Sequence, residues 1–239
     1  MPSHTAVGFD FDHTLGIDNK LERTTALESL ATLAAAGGHT YELSAAEAAI
    51  DHVLAAYRNG EQSVEAAIAG FFERFAPSGR ATLDYAQDFR DKVIERAGQF
   101  VEALPGAQAM LAELDALGVT YALLTNGWSP FQEEKARLIA FRGSVFVSER
   151  IGVRKPAREA FEVLAKHLEL PLERIWYVGD DPEVDCAGAR AVGMTTVWYD
   201  WEGRAYPPEI AQPDHVIHSL DELPRLIQGH VSETAKSAG

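Results

Sequence analysis

The chain has 239 residues, 46% of them hydrophobic and with aromatics throughout, which excludes a disordered polymer and leaves room for a full core. Its formal net charge of -15 is spread over helical segments, which weighs against nucleic acid or an anionic membrane as the main partner. Its one cysteine, Cys186, excludes an internal disulfide or a cysteine metal cluster; with no apolar run near the ~20 residues of a membrane span and no signal-peptide pattern in residues 1–5, a cytoplasmic monomer or homodimer is expected.

Residues 5–11 read as a short buried strand, and "VGFDFDHTL" closes it with Asp10 and Asp12, followed by Thr14. Side chains at i and i+2 share a face of extended chain, so both carboxylates can address one ligand. "LGIDNK" reads as a loop. From about Glu22 to Leu104 helical spacing recurs with no strand between. "TTALESLATLAAA" stops at Gly37 and Gly38, and "SAAEAAIDHVLAAYRNG" opens on Ser44 with Glu47 at a capping-box spacing. "SVEAAIAGFFERF" is closed by Pro77, and a fourth helix runs from about Thr82 to Leu104. These predict an all-helical module over 21–103, inserted into a core built from 1–20 and 104–231, with 232–239 a flexible tail.

After "LPG" the rhythm becomes helix then strand. "AQAMLAELDALG" precedes "VTYALLTNG", "PFQEEKARLIAF" leads to "SVFVS", and "PAREAFEVLAKHLEL" precedes "RIWYVGD". "EVDCAGARAVG" precedes "MTTVWYD", and "HVIHS" with "LDELPRLIQ" ends the fold. Such alternation predicts an α/β fold: a doubly wound, mostly parallel, Rossmann-like sheet with helices on both faces. In open parallel sheets, ligands bind beyond the carboxyl ends of the strands. Polar residues recur there: Asp10 and Asp12, Thr125 and Asn126 after "YALL", and Asp180 and Asp181 after "IWYVG", with Lys155 of "GVRKP" in the loop region after the third strand.

Taken singly, each of these is ordinary. Thr125, Asn126 and Gly127 make a turn triplet, and a lysine before proline usually lies on a surface. "GDDPEVD" reads equally as a turn with Asp181 capping a helix and Pro182 at its first position. Together, in order and at strand ends, they are chemically complementary.

The set resembles the motifs of the haloacid dehalogenase-like hydrolase superfamily, over residues 5 to about 200. DxDxT is matched by Asp10, Asp12 and Thr14, the strand-ending threonine by Thr125, the lysine by Lys155, and the late acidic element by Asp180 and Asp185. The helical insertion is similar to that family's mobile cap over the site. The chemistry also follows from the residue types. A carboxylate nucleophile, Asp10, can form an aspartyl-phosphate, and Asp12 can protonate the leaving alcohol and then take a proton from water. An anion attacking an anionic phosphate needs a cation, and magnesium suits carboxylate oxygens, here those of Asp10 and Asp180. The resemblance adds the backbone carbonyl of Asp12 to that metal set. Lys155 supplies a second positive charge, and the Thr125 hydroxyl with backbone amides near Asn126 can bind phosphate oxygens. Asp185, with Asp181 as its competitor, orients a water or Lys155, and Thr14 stands behind the pair of acids.

The dehalogenases of the superfamily lack an acid at the position of Asp12, because halide leaves without a proton, so the resemblance implies a phosphatase acting on a small phosphorylated metabolite. A sugar phosphomutase would use the same groups. A signalling receiver domain lacks the i+2 aspartate and the insertion, and a silent binding protein is disfavoured by the complete acid and lysine set. Selectivity is expected from the insertion and from Asp18, Asn19 and Lys20, with Trp128 either stacking on a ligand or, preferentially, packing the two parts together.

Overall fold

In the computed structural model, which describes residues 5–76 and 82–237, the chain forms two units, Met1–Ile17 with Val101–Gly239 and Asp18–Phe100. In the first, β1 (Ala6–Phe9) precedes a two-residue ribbon strand β2 (Gly16–Ile17), which pairs antiparallel with β3 (Glu102–Ala103). Then follow α5 (Ala107–Ala116), β4 (Thr120–Thr125), α6 (Phe131–Leu138), β5 (Ser144–Val147), the single turn α7 (Ser148–Ile151) and α8 (Arg158–Leu168). β6 (Ile175–Gly179), a π-helical turn over Pro182–Ala187, α9 (Gly188–Ala191), β7 (Thr195–Tyr199), β8 (His215–Ile217) and α10 (Glu222–Ser237) complete it. The helical unit holds α1 (Leu21–Gly37), α2 (Leu43–Arg58), α3 (Val64–Phe75) and α4 (Thr82–Phe100).

Six strands form one sheet in the order β5-β4-β1-β6-β7-β8, parallel throughout. The winding direction reverses between β1 and β6, the crevice where open α/β sheets bind ligands. Phe9 lies level with Leu123 of β4 and Val178 of β6, so Asp10, whose amide donates to Val178 O at 2.9 Å, emerges at the reversal.

The period of two along each strand divides the core. Val7, Phe9, Leu123 and Val178 face Leu111 and Leu114 of α5 and Leu223 and Ile227 of α10. Ala122, Leu124 and Tyr177 face Phe161 and Leu164 of α8 and Ala189 of α9. Each fully buried large side chain contributes roughly 1.5–3 kcal/mol. Gly8 belongs to the second face, where a Cβ would fall 2.5 Å from Leu164 Cδ2 and 2.8 Å from a Tyr177 ring carbon. Only glycine lets α8 and Tyr177 approach β1 this closely.

The helical unit has its own core, in which Ile50, Leu54, Ile68, Phe71, Phe89 and Val93 are buried and Phe72 stacks on Tyr85 at 5.0 Å. The cap of α2 differs from the expectation. Glu42, not Ser44, accepts from the amides of Ser44 and Ala45 at 3.1 and 2.6 Å, because a longer carboxylate reaches back to the orphan donors and carries charge toward the positive helix end. Glu47 pairs instead with Arg23 at 3.3 Å. The ribbon falls partly in the stretch expected as loop, and α10 runs to Ser237, through most of the stretch expected as tail. Pro77 lies outside the described residues.

Candidate active site

Lys155 is placed by its backbone. The Asn126 amide at the end of β4 donates to Lys155 O at 2.9 Å and accepts from Lys155 N at 3.0 Å, clipping the loop before α8 to the strand. The Asn126 side chain is used in this clip, while the phosphate expectation concerns the backbone amides near Asn126. Lys155 is 4% exposed, and its ammonium donates to Asp10 Oδ1 at 2.8 Å, Asp185 Oδ1 at 2.7 Å and Tyr177 Oη at 2.8 Å. Three donors thus meet three acceptors. Tyr177 in turn donates to Leu124 O at 2.7 Å, which fixes its hydroxyl as an acceptor for the lysine. Burial works against the ammonium, but Asp10 and Asp185 more than offset it, so the Lys155 pKa stands well above its usual value.

Asp180 precedes the π-helical turn and Asp185 lies within it. Oxygens of Asp10, Asp180 and Asp185 lie within 4.8 Å of one another. Burial, then repulsion from Asp10 and Asp185, pushes the Asp180 carboxyl up to about 8 against the opposing pull of Arg204. Burial raises Asp185 to about 7, with Lys155 opposing and Asp10 adding. Asp181 stays outside this group: one of its oxygens caps the turn, accepting from the amides of Glu183 and Val184 at 2.8 Å each. Of the two competing acids, Asp185 is the one in contact with Lys155.

Asp12 lies in the turn after β1 with its side chain about one-third exposed, at 35%. Lys135 of α6 donates to both its oxygens, at 2.6 and 2.7 Å, and Gln132 donates to Oδ2 at 3.1 Å. Burial favours the neutral acid, but the charge of Lys135 and these hydrogen bonds win, holding the Asp12 pKa below its ordinary value. Thr125 ends β4 with its hydroxyl buried and without a hydrogen-bond partner, and the same holds for Thr14. Such a donor at a strand end is an expensive feature unless a ligand completes it. Trp128 is buried, 1% exposed, and stacks on Phe131 of the same unit at 5.1 Å, so it is a core residue and no ligand platform. In the helical unit, Asn19 donates to Phe100 O at 2.8 Å and Asp18 accepts from Lys20 N at 3.1 Å; both shape local backbone.

A family model described as haloacid dehalogenase-like hydrolase matches residues 4–193. The chain belongs to this family. Among haloacid dehalogenase-like proteins it is 30% identical over 239 positions to the phosphoserine phosphatase of Thermus thermophilus, covering 90% of this chain and 95% of that one. It is 35% identical over 134 positions to the ribulose-1,5-bisphosphate 5-phosphatase of Halopiger xanaduensis, covering 52% of this chain and 56% of that protein. In structure it resembles a 2-haloacid dehalogenase from Pseudomonas syringae, with TM-score 0.72 and 22% identity over 94% of this chain and 98% of that one. A phosphatase from Thermococcus onnurineus gives TM-score 0.70 at 21% identity, over 93% and 97%.

Magnesium use is typical of haloacid dehalogenase-like hydrolases, and the acidic group fits such an ion: its oxygens converge and are hard donors. Tyr177, Lys135, Gln132 and Arg204 are the residues here that the motifs do not announce. Arg204 donates to Asp180 O at 3.0 Å and lies 3.4 Å from its Oδ2. The readable signal for Gln132 and Lys135 is their spacing of three, on the face of α6 that also carries Phe131 and Ala136. No helix among the described residues is long and apolar enough to cross a membrane.

Proposed function

We propose that the protein is a magnesium-dependent phosphomonoester hydrolase acting on a small phosphorylated metabolite of the nucleotide or sugar phosphate class, through an aspartyl-phosphate on Asp10. The observation that supports this best is the buried Lys155 ammonium held between Asp10 and Asp185, with Asp180 in reach, at the reversal of the sheet. In this reading an Asp10 oxygen bonds to phosphorus as the ester P–O bond breaks. Asp12 hands a proton to the leaving oxygen, then takes one from the water that attacks the phosphoenzyme, returning Asp10 and releasing inorganic phosphate. Since Lys135 keeps Asp12 ionised at rest, Asp12 first takes the proton that the ester monoanion brings on a phosphoryl oxygen, whose second ionisation lies at about pH 6, and passes that proton to the leaving oxygen.

Lys155 neutralises charge beside the nucleophile and the Thr125 hydroxyl donates to a phosphoryl oxygen. Asp10 and Asp180, with the Asp12 carbonyl, are the residues that would hold magnesium, and Asp185 and Thr14 support them. When bound, the ion supplies positive charge to the transferring phosphoryl oxygens. The relatives that cleave phosphoserine and ribulose 1,5-bisphosphate support the small-metabolite class, and the inserted helices are the proposed source of selectivity. The test is phosphate release from a panel of metabolite monoesters, with magnesium and with a chelator. Release from several esters, lost on chelation, is expected; return of the phosphate to a second hydroxyl of a sugar phosphate, with none freed, would make the enzyme a mutase.

A further inference from the structure

Lys135 is an ammonium that neither the motif set nor the metal set uses, yet it is only 1% exposed. It lies on α6, a helix whose sequence "FQEEKARL" reads as a charged surface. Burying an ammonium is costly unless a carboxylate meets it. Here the carboxylate is Asp12, held through both oxygens, while Gln132, itself 4% exposed, donates to one of them. The site is built around this grip. The Lys135 Nζ lies 5.0 Å from the Phe11 ring centre and 4.8 Å from that of Phe131, between two aromatic faces that fix where it can sit. At Gly127 a Cβ would fall 2.5 Å from Gln132 Cγ and Nε2, so the glycine of the "TNG" turn makes space for the Gln132 side chain that reaches Asp12.

Charge asks for the same device. Asp10, Asp12, Asp180 and Asp185 crowd the strand ends, and Lys155 is already shared between two of them. A carboxylate that must transfer a proton at a defined point has to be held in one rotamer against rotation toward solvent, and a misplacement of about 1 Å costs on the order of a hundredfold in rate.

Resting on the phosphatase reading, we infer that Lys135 and Gln132 are positioning residues that hold the Asp12 carboxylate in line with the leaving oxygen. They act through Asp12. In phosphoenzyme formation, the step that kcat/KM reports, the clamp matters where the leaving group needs a proton and is dispensable where it does not.

The test compares kcat/KM for glycerol phosphate, whose alkoxide must be protonated, with that for p-nitrophenyl phosphate, whose phenolate leaves unaided. Lys135→Met should lose about 10–100-fold on the alkyl ester, up to the lower end of a full general acid–base contribution, and less than about 3-fold on the aryl ester. Gln132→Leu, the milder change, should move the same ratio in the same direction by a smaller factor. In an Asp12→Asn background, Lys135→Met should cause no further loss on the alkyl ester, because the group it positions is already gone. Equal losses on both esters, or a full further loss in the Asp12→Asn background, would overturn the clamp while leaving the phosphatase reading intact. If the wild-type protein with magnesium frees phosphate from neither ester, the phosphatase reading falls and the clamp with it.

Discussion

Gly179 closes β6 where the late acidic turn begins, and a single methyl there tests how tightly the site is held. In Gly179→Ala the new Cβ would fall 2.3 Å from both Cγ and Oδ2 of Asp185. Carbon contacts settle near 3.5 Å, so the carboxylate must retreat by roughly 1 Å. Its 2.7 Å bond from Lys155 then opens beyond hydrogen-bonding range. Depriving a buried pair of a partner costs about 3–5 kcal/mol, and forcing a methyl into packed space about 1–3 kcal/mol. Both figures describe largely one displacement, so a loss of about 3–5 kcal/mol is expected. For a chain of this size that is a fall in Tm of roughly 10 °C. All four tryptophans, Trp128, Trp176, Trp198 and Trp201, belong to the sheet unit, so tryptophan fluorescence follows the melting of the unit that contains the change. A midpoint within about 1 °C of the wild type would refute the reasoning.

Other substitutions separate stability from function. Thr125→Val should weaken turnover on every ester yet leave Tm unchanged or higher, since it removes a buried hydroxyl that has no partner; a lower Tm would show that the hydroxyl is bonded in the free protein. Asp180, pushed up to about 8, binds a proton in the folded state that the unfolded chain has released. Its stabilising contribution is full below about pH 4 and is lost as pH rises through about 8, so the chelated protein should melt lower at about pH 8 than at about pH 5. Asp180→Asn should flatten that slope, and an unchanged slope would contradict the shift. Gly70 lies inside α3 with nothing within 4 Å of a Cβ, so Gly70→Ala should stabilise the helical unit by roughly 0.5–1 kcal/mol in circular-dichroism melts; destabilisation would contradict the open space there.

The parts of the site that were legible in the sequence are those whose signal is local. Asp10, Thr125 and Asp180 each follow directly on an apolar run that the strand period explains, and parallel winding brings such ends together. The unread parts depend on partners far along the chain. Lys135 meets Asp12 across 123 positions, and its neighbours Glu133, Glu134 and Arg137 disguise it as one charge on a solvated helix. Tyr177 reads as an ordinary core aromatic; only the approach of Lys155 to its hydroxyl makes it part of the site. Asp181 and Asp185 were inseparable by type, and the turn geometry divides them, one turned to backbone amides and the other to the lysine. At Glu42 a longer carboxylate outcompeted the serine that the capping pattern favours. The β2–β3 ribbon is two residues long per strand, too short for any period to register.

The central claim is that Asp10 becomes covalently phosphorylated. It is tested most directly by acid-quenching the magnesium-loaded enzyme during turnover of p-nitrophenyl phosphate and mapping the adduct by peptide mass spectrometry. The account predicts one phosphoryl group on the peptide that contains Asp10, discharged by hydroxylamine and absent from Asp10→Asn. Steady phosphate release with no adduct on that peptide, or undiminished turnover by Asp10→Asn, would contradict it.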